Sequence, residues 1–213
     1  MRSLAAAAVV AIVAPAFGAI TTTTGSATIT PIPPSLTIGA FESDTQVPVM
    51  FERNRILPEG QEVDISQIGL VDQLSDLTPG LIPAGTRVAS YIFHADGIGT
   101  GNHVFEGSVT FDEDILGIIV GTTRLNNTDN RFGAVGTTYW NGPSRGLDLA
   151  TNPGNDTLLL SVSRNTVSFR LVVGEAMDEF RVLTAVPTPG SFAVAALAAA
   201  TTLRRRRSRA ASF

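Results

Sequence analysis

The eight residues 166–173, TVSFRLVV, constrain the fold more than any other stretch of the chain. Val167, Phe169, Leu171 and Val173 alternate with Thr166, Ser168, Arg170 and Val172. A period of two sets one row on a core and the other mainly toward water, as a β-strand requires. Just upstream, TLLLSVS places Leu158, Leu160 and Val162 on one face, and Arg164-Asn165 reads as the hairpin turn between the two runs. Further β-rich stretches lie at 87–95 (RVASYIFHA), 103–111 (HVFEGSVTF), 115–123 (ILGIIVGTT), 136–140 (GTTYW) and 179–185 (EFRVLTA). The clusters DGIGTGN, NNTDN, NGPSRG and TNPGND punctuate them as turns. Short strands at this spacing predict an all-β, antiparallel β-sandwich or jelly-roll-like single domain. Residues 20–35, rich in Thr and Ile and then in Pro, predict an extended strand running into a turn. Only 65–77, ISQIGLVDQLSDL, has a helical stripe, from Ile68, Val71, Leu74 and Leu77, with Gly69 against it. No repeat of fixed period and no second domain is visible.

The 213 residues suffice for one domain plus appendages. There is no cysteine, which excludes disulfide staples, thiolate metal sites and a cysteine nucleophile together. There is no lysine either: all fifteen basic residues are Arg, a bias we read as GC-rich coding. The net charge of −4 conceals an asymmetry. Apart from Arg2 and the five arginines of the C-terminus, nine basic residues face nineteen acidic ones, a charge of about −10. An acidic body of this kind is a poor partner for nucleic acid.

The two chain ends read as addresses. In MRSLAAAAVVAIVAPAFGA one positive charge precedes an apolar run from Leu4 to Val13, followed by small residues at Ala14, Ala16 and Gly18. This is the layout of a signal peptide, here residues 1–18, with cleavage after Gly18 so that Ala16 and Gly18 occupy the small-x-small positions and Ala19 begins the product. At the other end, Ser191–Leu203 is free of charge and, as a short apolar helix, spans about 20 Å at 1.5 Å per residue. A bilayer core needs roughly 30 Å. The arginines at 204–209 that follow, Arg204, Arg205, Arg206 and Arg207 foremost, hold that end on the cytoplasmic side. The proline motif Val186, Pro187, Thr188, Pro189, Gly190 then lies at the outer face. A permanent single-span anchor, a sortase-type cell-wall signal and a basic nucleic-acid patch are the other readings of this tail.

The order of proline motif, apolar segment and arginine cluster resembles the PEP-CTERM sorting signal of exported bacterial proteins. The resemblance implies passage through the general secretion machinery, recognition of 185–213 by an exosortase-type membrane protease, and a destination associated with extracellular polysaccharide. Thr188 stands where that signal usually carries an acidic residue, which marks a variant form. The body, 19–184, also resembles the ectodomains of other PEP-CTERM-bearing proteins through FESDTQVPVMFER, LTPGLIPAGTRVASYIFHADGIG, GSVTFDEDILGIIV, RGLDL and EFRVLT. That resemblance implies a secreted β-domain and brings no catalytic residues with it.

Within the body, chemistry is sparse. His94 and His103 sit near strand ends and lack a third ligand at metal-site spacing. DGIGTGN has no following lysine or helix, so it reads as a turn and not as a phosphate loop. Asp112, Glu113 and Asp114 cap a strand whose Phe111 and Ile115 are core; binding Ca²⁺ there requires partners from Asn126–Asn130 or Thr151–Asp156. Tyr91, Tyr139 and Trp140 are the rings available for stacking on a sugar, and adjacent Tyr139 and Trp140 face opposite sides of a strand. Gly-x-Ser-x-Gly occurs at Gly142–Gly146, within the turn cluster NGPSRG and without the strand-to-helix setting of a nucleophile elbow. The expectation is an exported, non-catalytic surface or matrix protein without a metal or cofactor, with a polysaccharide-binding module as the alternative and a secreted hydrolase third.

Overall fold

The computed structural model describes residues 19–149 and 156–186. The expected signal helix, the apolar helix at 191–203 and the arginine cluster lie outside these residues. Among the described residues fourteen strands and one α-helix follow in chain order. They are β1 (Ile20–Gly25), β2 (Ala27–Ile29), β3 (Ser35–Leu36), β4 (Val47–Ile56), β5 (Gln61–Val63), β6 (Gly69–Val71) and β7 (Gly80–Ile82). After these come β8 (Arg87–Ala95), β9 (His103–Phe111), β10 (Ile115–Ile119), α1 (Thr122–Phe132), β11 (Thr138–Tyr139), β12 (Thr157–Leu160), β13 (Thr166–Val173) and β14 (Asp178–Ala185).

Two five-stranded sheets carry the domain, ordered β1-β9-β13-β12-β6 and β10-β14-β8-β4-β2. Within them all pairs are antiparallel except β2 with β4. The sheets face each other. Val109, Phe111, Val167, Phe169 and Leu171 of the first share one core with Val49, Phe93, Phe180 and Val182 of the second. The Phe93 and Phe180 rings stack at 4.2 Å between centroids, and Phe169 meets Phe93 edge-on at 6.0 Å. The alternation in 166–173 is realised as expected: Val167, Phe169, Leu171 and Val173 are buried and the residues between them half-buried.

The second sheet is covered on its other face too. There Met50, Val88, Ile92 and Leu183 form a separate core with Leu125 and Phe132 of α1 and with Val63 and Ile82 of the small β5–β7 sheet. Double coverage explains why β8 and β14 read as nearly continuous apolar runs.

Several local expectations are corrected. The stretch 65–77 is not a helix. It contains β6 and a single 3-10 turn, Leu74–Asp76. Gly69 adopts φ 137°, a backbone conformation that interrupts any helix, and only Val71 of the expected stripe is fully buried, while Ile68 and Leu74 are exposed. The hairpin between β12 and β13 forms, with Arg164 at φ 60°, but Val162 lies in the turn, 85% exposed, and not on the core face. The strand expected over 115–123 stops at Ile119, and NNTDN, read as a turn, is the middle of α1. This helix shows few apolar residues in sequence because only Leu125, Thr128 and Phe132 face inward. It is held from outside itself: Asp64 Oδ2 accepts hydrogen bonds from the backbone N–H groups of Val120 (2.8 Å) and Gly121 (3.0 Å) at its start.

Candidate functional site

The expected site residues scatter. Val186, the last described residue, is buried and donates its backbone N–H to the Arg87 carbonyl. Ala19 is the first described residue. Ala16, Gly18, Pro187, Thr188, Pro189, Gly190 and Arg204–Arg207 lie outside the described residues. His94 and His103 belong to strands of opposite sheets and do not converge. His103 Nδ1 lies 3.3 Å from Asp44 Oδ1, whereas His94 is wholly buried. Phe111 and Ile115 are core on either side of Asp112–Asp114, as expected. Among the described residues no group of three His, Cys, Asp or Glu side chains is arranged to hold a metal ion. None of the helices among them is long and apolar enough to cross a membrane.

What the fold does assemble is a chain of buried charges between the second sheet and α1. Alternation puts Glu179 and Arg181 of β14, Ser90 and His94 of β8 and Glu52 of β4 on the face turned to the helix. Arg181 forks onto Glu52, Nε to Oε2 at 2.7 Å and Nη2 to Oε1 at 2.8 Å. It also donates to Thr128 Oγ1 (2.8 Å) and to Asp129 Oδ1 (2.8 Å). Asp129 is shared, because Arg145 donates to both its oxygens, at 2.5 and 3.1 Å. Arg145 Nε continues to Glu179 Oε2 at 2.5 Å, and Glu179 Oε1 meets His94 Nδ1 at 2.7 Å. His94 Nε2 ends the chain 4.0 Å from Asp96 Oδ2.

Two guanidinium groups out of water are tolerable only because each is paired in a geometry that uses its fork. Burial alone opposes the charge on Arg181 and Arg145, yet Glu52, Glu179 and Asp129 over-compensate and raise both pKa values. Burial likewise opposes a charged Glu179, but His94 and Arg145 hold its carboxyl below the usual range. Tyr139 closes the chain from above. Its ring centroid lies 5.5 Å from the Arg145 guanidinium carbon and 5.9 Å from that of Arg181, and its hydroxyl accepts the Ala134 N–H at 2.8 Å. Burial, and next the Glu52 charge, push that hydroxyl well above the ordinary tyrosine range. Gly133 is glycine for a spatial reason: a Cβ there sits 2.7 Å from the Tyr139 ring.

Chemically the chain is a clamp. A Glu–His pair with an adjacent Arg has the composition of an acid–base centre, but His94, Glu179, Arg145 and Arg181 are entirely buried, so no substrate reaches them. The chain reaches the surface at Asp129, 18% exposed, which lines a cavity of about 470 Å³. Asn126, Asn130, Asn141, Arg53 and Tyr139 line it as well. Trp140 lies outside it, half-buried, its Nε1 donating to the Pro143 carbonyl. A wider groove of about 680 Å³ lies by the start of α1, but its arginines are taken: Arg124 pairs with Glu62 and Asp64, and Arg131 with Glu59 and Gln61.

One more buried acid stands apart. Asp178, 5% exposed at the start of β14, has its carboxyl pushed up to about 9 by burial and by the charges of Asp156 and Asp148. It is therefore protonated at neutral pH.

Sequence reading missed the clamp because each member looks ordinary in its own strand. The available signal was the double-sided apolar character of RVASYIFHA and EFRVLTA: a polar residue inside a strand covered on both faces has to be buried and paired. Compared with protein-family models, curated proteins and solved structures, the chain matches none of them.

Proposed function

We propose that this chain is an exported, non-catalytic protein of the cell surface or extracellular matrix. A jelly-roll-like β-sandwich ectodomain, 19–184, crosses the membrane through the general secretion machinery, and its tail, 185–213, is read by an exosortase-type membrane protease. The supporting observation is where the folded unit stops. Ala185 N–H still bonds to the Asp114 carbonyl and Val186 N–H to that of Arg87, and Val186 is also the first residue of Val-Pro-Thr-Pro-Gly. The compact unit extends to Val186. Cutting within 187–190 would therefore sever no core contact of that unit.

A non-catalytic role agrees with the clamp, in which Glu52, Glu179, Arg145 and Arg181 are spent on one another and closed to solvent. Such a domain suits structural or adhesive duty outside the cell. Fractionation of the producing cells tests the reading: the protein belongs in the surface or extracellular fraction, and a cytoplasmic pool that retains residues 1–18 contradicts it.

The polysaccharide-binding alternative gains one specific support. The cavity beside Asp129 offers three amide side chains, one tyrosine, Arg53 and a carboxylate already neutralised by two arginines, a polar lining suited to a hydroxyl-rich ligand. Pull-down with the cell's own polysaccharide separates the two readings. Saturable binding that Asn130→Ala abolishes and Trp140→Ala preserves would replace the structural role with this one.

A further inference from the structure

We propose that Asp112 is the receptor for the α-amine released when the chain is cut between Gly18 and Ala19. The inference rests on the export reading above and adds to it a fixed start and a docking residue for that start. Ala19 N donates to Asp112 Oδ1 at 2.5 Å, and Asp112 N donates back to the Ala19 carbonyl at 2.9 Å. The two residues are set opposite each other by the ladder that begins at Ile20 and Phe111. The contact thus sits one residue before β1, next to the Ile20–Phe111 pair, and uses the one nitrogen that hydrolysis of the Gly18–Ala19 peptide bond would convert. Water adds across that bond: its hydroxyl stays on the Gly18 carbonyl carbon as a carboxylate, and its proton goes to the Ala19 nitrogen. At neutral pH that nitrogen takes a further proton and becomes an ammonium. A neutral amide donor is replaced in place by a charged one, which strengthens its bond to a carboxylate.

The surroundings call for a cation. Asp112, Glu113 and Asp114 occupy the turn between β9 and β10, and among the described residues none of them is in an ion pair. Tyr91, packed from β8, is held neutral, its hydroxyl pushed up to about 12 by burial and by Asp112. Arg164, on the neighbouring turn, donates to the carbonyls of Ser66 and Ile115. The ammonium at Ala19 would be the counter-charge of this turn. A start at Ile20 would remove the donor, and a start upstream of Ala19 would leave it an uncharged amide.

The chain's lack of lysine makes the test clean, since the mature protein then has a single primary amine. Intact mass of the exported protein gives its first residue, expected to be Ala19. The rate of acylation by an N-hydroxysuccinimide ester at pH 7.5 then reads the pairing. The amine in wild-type protein should react about two- to five-fold more slowly than in Asp112→Asn, the range of an exposed ion pair. The gap should close toward about pH 10 as the amine loses its proton. Glu113→Gln should keep the slow rate. Native against urea-unfolded wild-type protein gives the same comparison should Asp112→Asn fold poorly. Equal rates overturn the pairing. A first residue other than Ala19, in a protein that is exported and cut, overturns the inference and leaves export standing. A secreted protein that begins at Met1 overturns both.

Discussion

Replacing Arg181 with Met removes the centre of the clamp while roughly keeping its volume. The side chain is wholly buried and makes two bonds to Glu52 and one each to Thr128, Asp129 and the Leu125 carbonyl. After the change Glu52 keeps hydroxyl partners, Ser90 at 2.5 Å and Tyr139, but loses the cation that balances its buried charge. Asp129 keeps Arg145 and has solvent on one side, so its loss is smaller. Removing one partner of a buried pair costs about 3–5 kcal/mol. For a domain of this size 1 kcal/mol moves Tm by about 2–4 °C, so the expected fall is roughly 6–20 °C. Arg181→Lys should fall in between, because it keeps the charge and loses the fork. The discriminating variant is Arg181→Met combined with Glu52→Gln. Neutralising the stranded carboxylate should return part of the loss, so the double variant melts above Arg181→Met alone. Thermal unfolding followed by circular dichroism reads all of these. A loss below about 1 kcal/mol, or a double variant less stable than the sum of the singles, would refute the argument that paired charge holds α1 to the sheet.

Asp178→Asn should stabilise the protein increasingly from about pH 4 to about pH 9. The wild-type carboxyl is raised, so its stability contribution is complete below the unfolded value and is lost as pH rises toward the folded one, at up to about 1.4 kcal/mol per unit. Equal melting curves for the two proteins at pH 8 would contradict the burial of an uncompensated acid. Deleting Arg204–Arg207 should impair retention and processing of the tail, read as the ratio of full-length to trimmed protein; normal trimming would remove the arginines from the sorting signal. Chelators should leave Tm of the mature protein unchanged, and a drop of several degrees restored by Ca²⁺ would show a metal site that the acidic turns conceal.

The strands were legible where one face meets the core and the other faces out or where both are covered. The stretches 87–95 and 103–111 coincide with β8 and β9, and 166–173 with β13. In each, turn residues mark the ends and apolar residues recur through the run. Helix α1 was illegible because its stability comes from elsewhere: Asp64 caps it across the chain, and Asp129 is held by Arg145 and Arg181. A segment whose inward face is Leu125, Thr128 and Phe132 has too little hydrophobic period to read as a helix. The opposite error at 65–77 has the same origin, since a stripe of four apolar residues there overrode one glycine whose backbone geometry decides the local path. The clamp joins residues up to 129 positions apart, and only the packing of α1 on the second sheet brings them together. The charge on Glu52 or Arg181 carries no mark in sequence that it is buried, other than the apolar neighbours on both faces of its strand.

The central claim is that the folded domain is delivered outside the cell and parted from its tail within Pro187–Gly190. Intact mass spectrometry of the native protein from the membrane and extracellular fractions tests it most directly. The account predicts a mature species that begins at Ala19 and ends between Pro187 and Gly190. A mature species that still carries Arg204–Arg207 would contradict it and leave the tail a simple anchor.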